Sequence, residues 1–268
     1  MATALTSSRF RTPLSDVWRQ LVYAVTNRVG WPESNYLVNS HYRFIYCPIA
    51  KVACTSLKLW LLDVAGDEPE KPFNEHVEVQ RHSLRQVGNT AAVRLLGDSG
   101  YFKFAFVRNP WSRVVSAYLN KFLSLNCTSQ PVIQTLRRRG RVPKLEAEVT
   151  FREFIEFIAR GNPRDYDEHW RPQYLFVNGN HFDLIGRFEH LAEDFALVQD
   201  RLGIETPLPR NNVTQYAPQA DNKIVADFTP SQLRERGAFP DYRRFYTPQL
   251  YDLVAKIYAV DIKQFGYG

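Results

Sequence analysis

Apolar residues recur along this chain in two rhythms. Short apolar runs bounded by turn residues predict strands at 42–47 (YRFIYC), at 101–107 (YFKFAFV, alternating and aromatic) and at 181–188 (HFDLIGRF). Between them, apolar positions three and four apart predict helices. One runs from about Thr55 to Ala65, a short one lies within 83–100, and one opens on Pro110, where the missing N–H costs nothing. Another spans 150–161, with Thr150 as cap and Glu153 three residues on. A further helix follows 188, and the last starts at Thr247 and Pro248. Leu14, Val17, Trp18, Leu21, Val22 and Val25 share a helical face that ends near Gly30 and Pro32. Residues 1–35 are therefore expected to form an N-terminal helical extension packed on a domain over 36–268. Segments 66–82 and 126–149 read as loop or linker. Strands alternating with helices predict a single α/β domain with a mostly parallel central sheet flanked by helices.

Two strand ends carry chemistry. In CPIAKVACTSLK (47–58), small residues at Ala50, Ala53 and Cys54 let the backbone curl, so successive N–H groups lead into a helix N-terminus. Such a nest with the helix dipole behind it favours a phosphate. Lys51 adds a charge, Thr55 and Ser56 add hydroxyl donors, and Lys58 lies one turn after Thr55. The bland alternative is that Thr55 merely caps the helix. The segment lacks both glycines and the pre-threonine lysine of a Walker loop, which disfavours magnesium-dependent triphosphate hydrolysis. In FKFAFVRNPWSRVVSAY (102–118), Arg108 stands where the strand ends, the usual place for ligand groups in an open α/β sheet. Arg108 suits bidentate grip of a phosphate, and Ser116, two turns into the helix, a second bond. Ser112 and Ser116 share one face of that helix, and Val115, Leu119 and Phe122 form its expected buried stripe. A helix-terminal ion pair is the alternative for Arg108. Two anion corners on one sheet suit a nucleoside with phosphates at both ends.

Composition changes this picture only at the margins. The 268 residues are 44% hydrophobic, enough for a core without staples, and a net charge of +6 favours an anionic partner without choosing one. Cys47, Cys54 and Cys127 form no Cys-x-x-Cys pair, so a reducing compartment is expected and two N-x-Thr sequons (Asn126, Asn212) carry no weight. The N-terminal stretch is too short and polar for a secretory signal, and no run approaches the roughly 20 apolar residues of a membrane span. A cytoplasmic, soluble protein is the expectation, with peripheral membrane contact left open. No histidine spacing suggests a metal site.

PIAKVACTSLK and FVRNPWSRVVSAYLNKF resemble the 5′-phosphosulfate loop and the 3′-phosphate motif of sulfotransferases that use 3′-phosphoadenosine 5′-phosphosulfate (PAPS). DEHWRPQ (167–173), DLIGRFEHLAEDF (183–195) and the ending YTPQLYDLVAKIYAVDIKQFGY (246–267) are also similar in order and spacing. The similarity is greatest to the carbohydrate branch, in a soluble, bacterial-type form. The resemblance implies a P-loop-like nucleotide-binding architecture, PAPS as donor and no metal. It places the 5′-phosphate and sulfonate on Lys51, Val52, Ala53, Cys54, Thr55, Ser56 and Lys58, and the 3′-phosphate on Arg108 and Ser116. Ala50 departs from the family, which often has proline there.

A lysine beside the bridging oxygen would stabilise the charge that builds on it, and Lys51 is the expected catalytic residue, with Lys58 as helper. For the general base, His76, His82 and His169 compete with Glu75 and Glu78; His82 is favoured because relatives often place a histidine after the first helix. The implied acceptor is a hydroxyl, or an amine, of a carbohydrate or glycolipid. The run RRRGRVPK (137–144), with Arg152 nearby, suits an acidic glycan, although a charge run is more often a solvated face. A non-catalytic nucleotide-binding scaffold and a phosphoryl-transfer enzyme are the rival readings. Nucleic acid is not expected as a partner, since no interleaved aromatic–basic motif accompanies the arginines.

Overall fold

The computed structural model describes residues 30–67, 74–123, 148–177, 179–209 and 222–268. The expected helix over 14–25, the basic run 137–144, Cys127 and both sequons fall outside them. In chain order the strands and the α-helices of six or more residues are β1 (Leu37–Asn39), β2 (Phe44–Cys47), α1 (Cys54–Ala65), α2 (Asn89–Gly97), β3 (Phe102–Val107), α3 (Pro110–Tyr118), α4 (Phe151–Ile158), β4 (Leu184–Arg187), α5 (Leu191–Leu202), α6 (Pro230–Glu235), α7 (Pro248–Ile257) and α8 (Ala259–Phe265). They fall into two compact units. The first holds the described residues up to Arg108 and from Gln173 to Pro209; the second holds Asn109–Pro172 and the described residues from Asn222 on.

The first unit contains the whole sheet, in the order β1-β2-β3-β4. The three strands expected from the sequence run parallel, with Cys47 opposite Ala105 and Ala105 opposite Ile185. β1, too short to register as a periodic run, adds an antiparallel edge. Alternation puts Phe44 and Tyr46 on the same face as Phe102, Phe104 and Phe106. Tyr46 and Phe104 stack with centroids 5.2 Å apart, and Phe44 stacks 5.5 Å from Trp60 of α1. Phe195 of α5 meets Trp60 edge-on at 5.1 Å, so both helices cover this aromatic face. The Trp60 indole N–H reaches the carbonyl of Thr206 at 3.1 Å, which satisfies its one polar atom. Ile45, Cys47, Ala105 and Val107 on the other face are buried as well, as parallel strands covered on both sides should be. Cys47 there donates its thiol to the carbonyl of Phe176 at 3.8 Å.

The second unit is helical. Asn109 caps α3 by accepting from the Ser112 N–H, with Pro110 in the first turn as the sequence predicts. An amphipathic α3 with one buried stripe was the expectation; instead all nine of its residues are buried. The reason is that its polar side chains find partners inside the unit. Arg113, almost fully buried, donates to the carbonyls of Arg171 at 2.9 Å and Glu168 at 3.1 Å. Tyr118 stacks on Phe122 and Phe154 and meets Phe151 edge-on, while its hydroxyl donates to the carbonyl of Val149 at 2.8 Å. The capping box of Thr150 and Glu153 forms as its spacing predicts. The expected single C-terminal helix is two, because Tyr258 leaves helical dihedrals (φ −107°, ψ 24°) and ties its hydroxyl to the carbonyl of Trp170 at 2.6 Å.

Candidate functional site

Parallel strands deliver their C-terminal ends to one edge of the sheet, the edge where open α/β folds place ligands. Within the first unit that edge carries three things: the segment after β2, Arg108 after β3, and Phe188 after β4.

The segment after β2 makes its turn without glycine. Lys51 (φ 68°) and Ala53 (φ 48°) are both left-handed. For residues with a Cβ this conformation costs roughly 1–2 kcal/mol each. Leu57, Trp60 and Leu61 of α1 are buried, and such side chains each contribute about 1.5–3 kcal/mol, which holds the helix, and hence its first turn, in place. Ala53 is the N-cap, so Thr55 is the second helical residue and not the cap. A methyl side chain cannot bond into the helix, and no side chain caps it. The first α-helical bond is Leu57 N–H to Ala53 carbonyl, 3.0 Å. The N–H groups of Cys54, Thr55 and Ser56 thus head an uncapped helix, with the partial positive charge that attracts anions. Beneath them, burial pushes the Tyr46 phenol and the Cys47 thiol well above their ordinary values, so neither brings negative charge to the site.

Arg108 sits beside this turn. Its Nη1 donates to the Lys51 carbonyl at 3.2 Å, and its guanidinium carbon lies 4.3 Å from the centre of the Phe188 ring. Its backbone is held by Gln173, a fully buried side chain: Arg108 N–H donates to Gln173 Oε1 and Gln173 Nε2 donates to the Arg108 carbonyl, both at 2.8 Å.

The favoured histidine belongs to the same unit. His82 is largely buried, and its Nε2 lies 2.5 Å from Asp67 Oδ2. A carboxylate oxygen only accepts, so Nε2 carries a hydrogen. Lys58 places its ammonium 2.8 Å from Nδ1 of His76, an exposed residue whose Nε2 also faces Glu75. Glu78 pairs with Arg81 in the same unit, and Ser116, His169 and Arg152 lie in the second unit. Ser116 is buried on α3. His169 is turned to its own neighbour, with Nδ1 2.6 Å from Asp167 Oδ1, and the adjoining Trp170 packs edge-on against Phe154. Arg152 pairs with Asp227. Reading the sequence alone assigned no role to Gln173, Phe188 or Asp67. The first two lay inside segments quoted for their similarity to a family, and Asp67 in a stretch read as loop.

A mostly parallel α/β sheet with an uncapped helix N-terminus, a lysine and a braced arginine at its C-terminal edge is an architecture of P-loop-like type. Comparison with known proteins makes this specific: a model of the sulfotransferase family matches residues 34–268, and the chain belongs to that family. That one match spans both compact units. Among its relatives, carbohydrate sulfotransferase 11 of Mus musculus is 28% identical over 250 residues, covering 86% of this chain and 66% of that one. Carbohydrate sulfotransferase 14 of Homo sapiens is 34% identical over 169 residues, covering 59% and 44%. Carbohydrate sulfotransferase 12 of Xenopus laevis is 24% identical over 265 residues, covering 86% and 59%. The chain therefore spans between 44% and 66% of the length of these relatives.

Proposed function

We propose that this chain transfers a sulfonate group from PAPS to a hydroxyl or amine of a carbohydrate or glycolipid. The observation that carries the reading is the left-handed turn at Lys51 and Ala53, which opens an uncapped helix N-terminus next to Arg108. The relatives' names supply the acceptor class. A doubly charged phosphosulfate fits a donor set of backbone N–H groups and two cations. PAPS supplies the activated sulfonate and a phosphate leaving group.

Each residue then has a task. Cys54, Thr55 and Ser56 bind the 5′-phosphate through their N–H groups and hydroxyls, and Arg108 binds the 3′-phosphate. Lys51 stabilises the charge that develops on the oxygen between sulfur and phosphorus as its bond to sulfur breaks and it leaves with the phosphate. The acceptor's proton leaves to a base as the new bond to sulfur forms; His82 is tied to Asp67 beyond the far end of α1, a helix about 18 Å long, and is not that base. The product retaining the nucleoside is adenosine 3′,5′-bisphosphate.

The test is an acceptor screen with isotopically labelled PAPS, read by mass spectrometry for an added sulfonate. Lys51→Ala is expected to lower the transfer rate by about 10²–10³-fold, the range for loss of one group that stabilises developing charge. A Lys51→Ala protein as fast as the parent removes the assignment.

A further inference from the structure

Three contacts converge on Arg108, and two of them, from Gln173 and Phe188, come from residues given no part above in binding the donor. Gln173 pairs with both backbone polar groups of Arg108, in the manner of a strand neighbour, at the point where β3 has ended and no sheet partner remains. Phe188, the residue after β4, lies under the guanidinium plane. The Lys51 carbonyl takes one N–H of the guanidinium edge. One contact sets where the Arg108 backbone sits, one sets the plane of its head group, and one sets its rotation within that plane.

We propose that Gln173 and Phe188 are positioning residues that fix the Arg108 head group for the 3′-phosphate. This deepens the donor reading above and rests on it. Arginine binds phosphate through two parallel N–H bonds, and that geometry is lost when the plane tilts. A flexible arginine at a strand end would lose rotamer entropy on binding; one already held by a buried amide and a ring loses little. Burying the Gln173 amide fully is costly unless its polar atoms are used, and Arg108 uses its oxygen and one of its N–H groups. Phe188 is part-exposed, so a ring there is compatible with a role towards a ligand as well as with packing.

Calorimetry on the full chain with two probes, adenosine 3′,5′-bisphosphate and adenosine 5′-monophosphate, tests the proposal. The parent is expected to prefer the bisphosphate. Phe188→Leu and Gln173→Met are each expected to reduce that preference by about tenfold, the equivalent of one hydrogen bond to a charged group, with monophosphate affinity held. Phe188→Tyr, which keeps the ring, should restore it. If Gln173→Met does not fold, Phe188→Leu decides alone. A preference kept in folded variants overturns the proposal, and so does an equal loss of affinity for both probes, which marks general loosening. A parent with no preference for the bisphosphate overturns the donor reading and this proposal together.

Discussion

Ala53 shows how a single residue can mislead and inform at once. A phosphate loop without glycine reads as defective, because left-handed backbone is what glycine normally supplies. The structure keeps that backbone and gives it to Lys51 and Ala53, two residues with Cβ atoms. Small side chains in the segment were legible as a close-curling loop; the two strained dihedrals were not, since residue type alone does not select them. Two substitutions separate the effects. Ala53→Gly relieves the left-handed cost of roughly 1–2 kcal/mol but frees the unfolded chain by about 0.5–1 kcal/mol, so the melting temperature should hold or rise slightly. Ala53→Val puts a β-branched side chain in the left-handed region and should lower stability by about 1–2 kcal/mol or more. Thermal unfolding of the three proteins decides, and equal stability of all three is incompatible with a left-handed Ala53. Gln173 and Asp67 were illegible for a different reason. The bonds they make are to residues 65 and 15 positions away, and no local pattern encodes either.

At the scale of elements, what could be read was what is local. Thr150 with Glu153, Pro110, and Thr247 before Pro248 all mark helix starts, and all three helices begin there. Thr229 and Gln232 form a second capping box with the same spacing, at the head of the six-residue α6. The break at Tyr258 is tertiary in origin and left no trace in the apolar pattern. β4 carries a requirement of its own. A Cβ at Gly186 would lie 2.5 Å from the Phe106 ring and 3.0 Å from Asp194 Cβ, so the strand can approach β3 only without a side chain there. Phe106 is a buried core residue and Asp194 is tied to β4 by accepting the Arg187 N–H at 2.6 Å, so neither neighbour can step aside cheaply. Gly186→Ala should therefore destabilise the protein by about 1–3 kcal/mol, the usual range for overpacking. Chemical denaturation with an unchanged midpoint would show that β3 and β4 are not so closely paired.

For the whole molecule, the α/β class was legible because helices and strands alternate, whereas the grouping into two units was not. Its boundaries fall at the end of β3 and just before Gln173, with no linker or composition change to mark them. The grouping has a consequence in acid. Asp167, Glu148 and Asp227 all belong to the second unit, and all three carboxyls are held below the usual range. Burial alone would raise Asp167, but the His169 ring and backbone N–H outweigh it. Burial likewise opposes the lowering of Glu148, where the Ser231 hydroxyl and N–H and Arg234 prevail. Asp227 is lowered by its bonds from Arg152; it is mostly exposed, and solvent screening leaves it the smallest contribution. A carboxyl whose folded pKa lies below its unfolded one contributes stability that is complete above the unfolded value, about 3.9 for Asp and 4.3 for Glu. That contribution is lost as pH falls through the folded value. The second unit should accordingly lose stability as pH falls from about 4 downward. Hydrogen exchange read by mass spectrometry, corrected for the intrinsic rate at each pH, should show 151–158 and 230–235 losing protection before 44–47 and 102–107. Loss of protection in the strands first would mean that the paired carboxylates do not set acid stability. The Glu148→Gln protein separates the cause further: it should keep less stability at neutral pH and show a shallower fall on acidification, because the group that titrates has been removed.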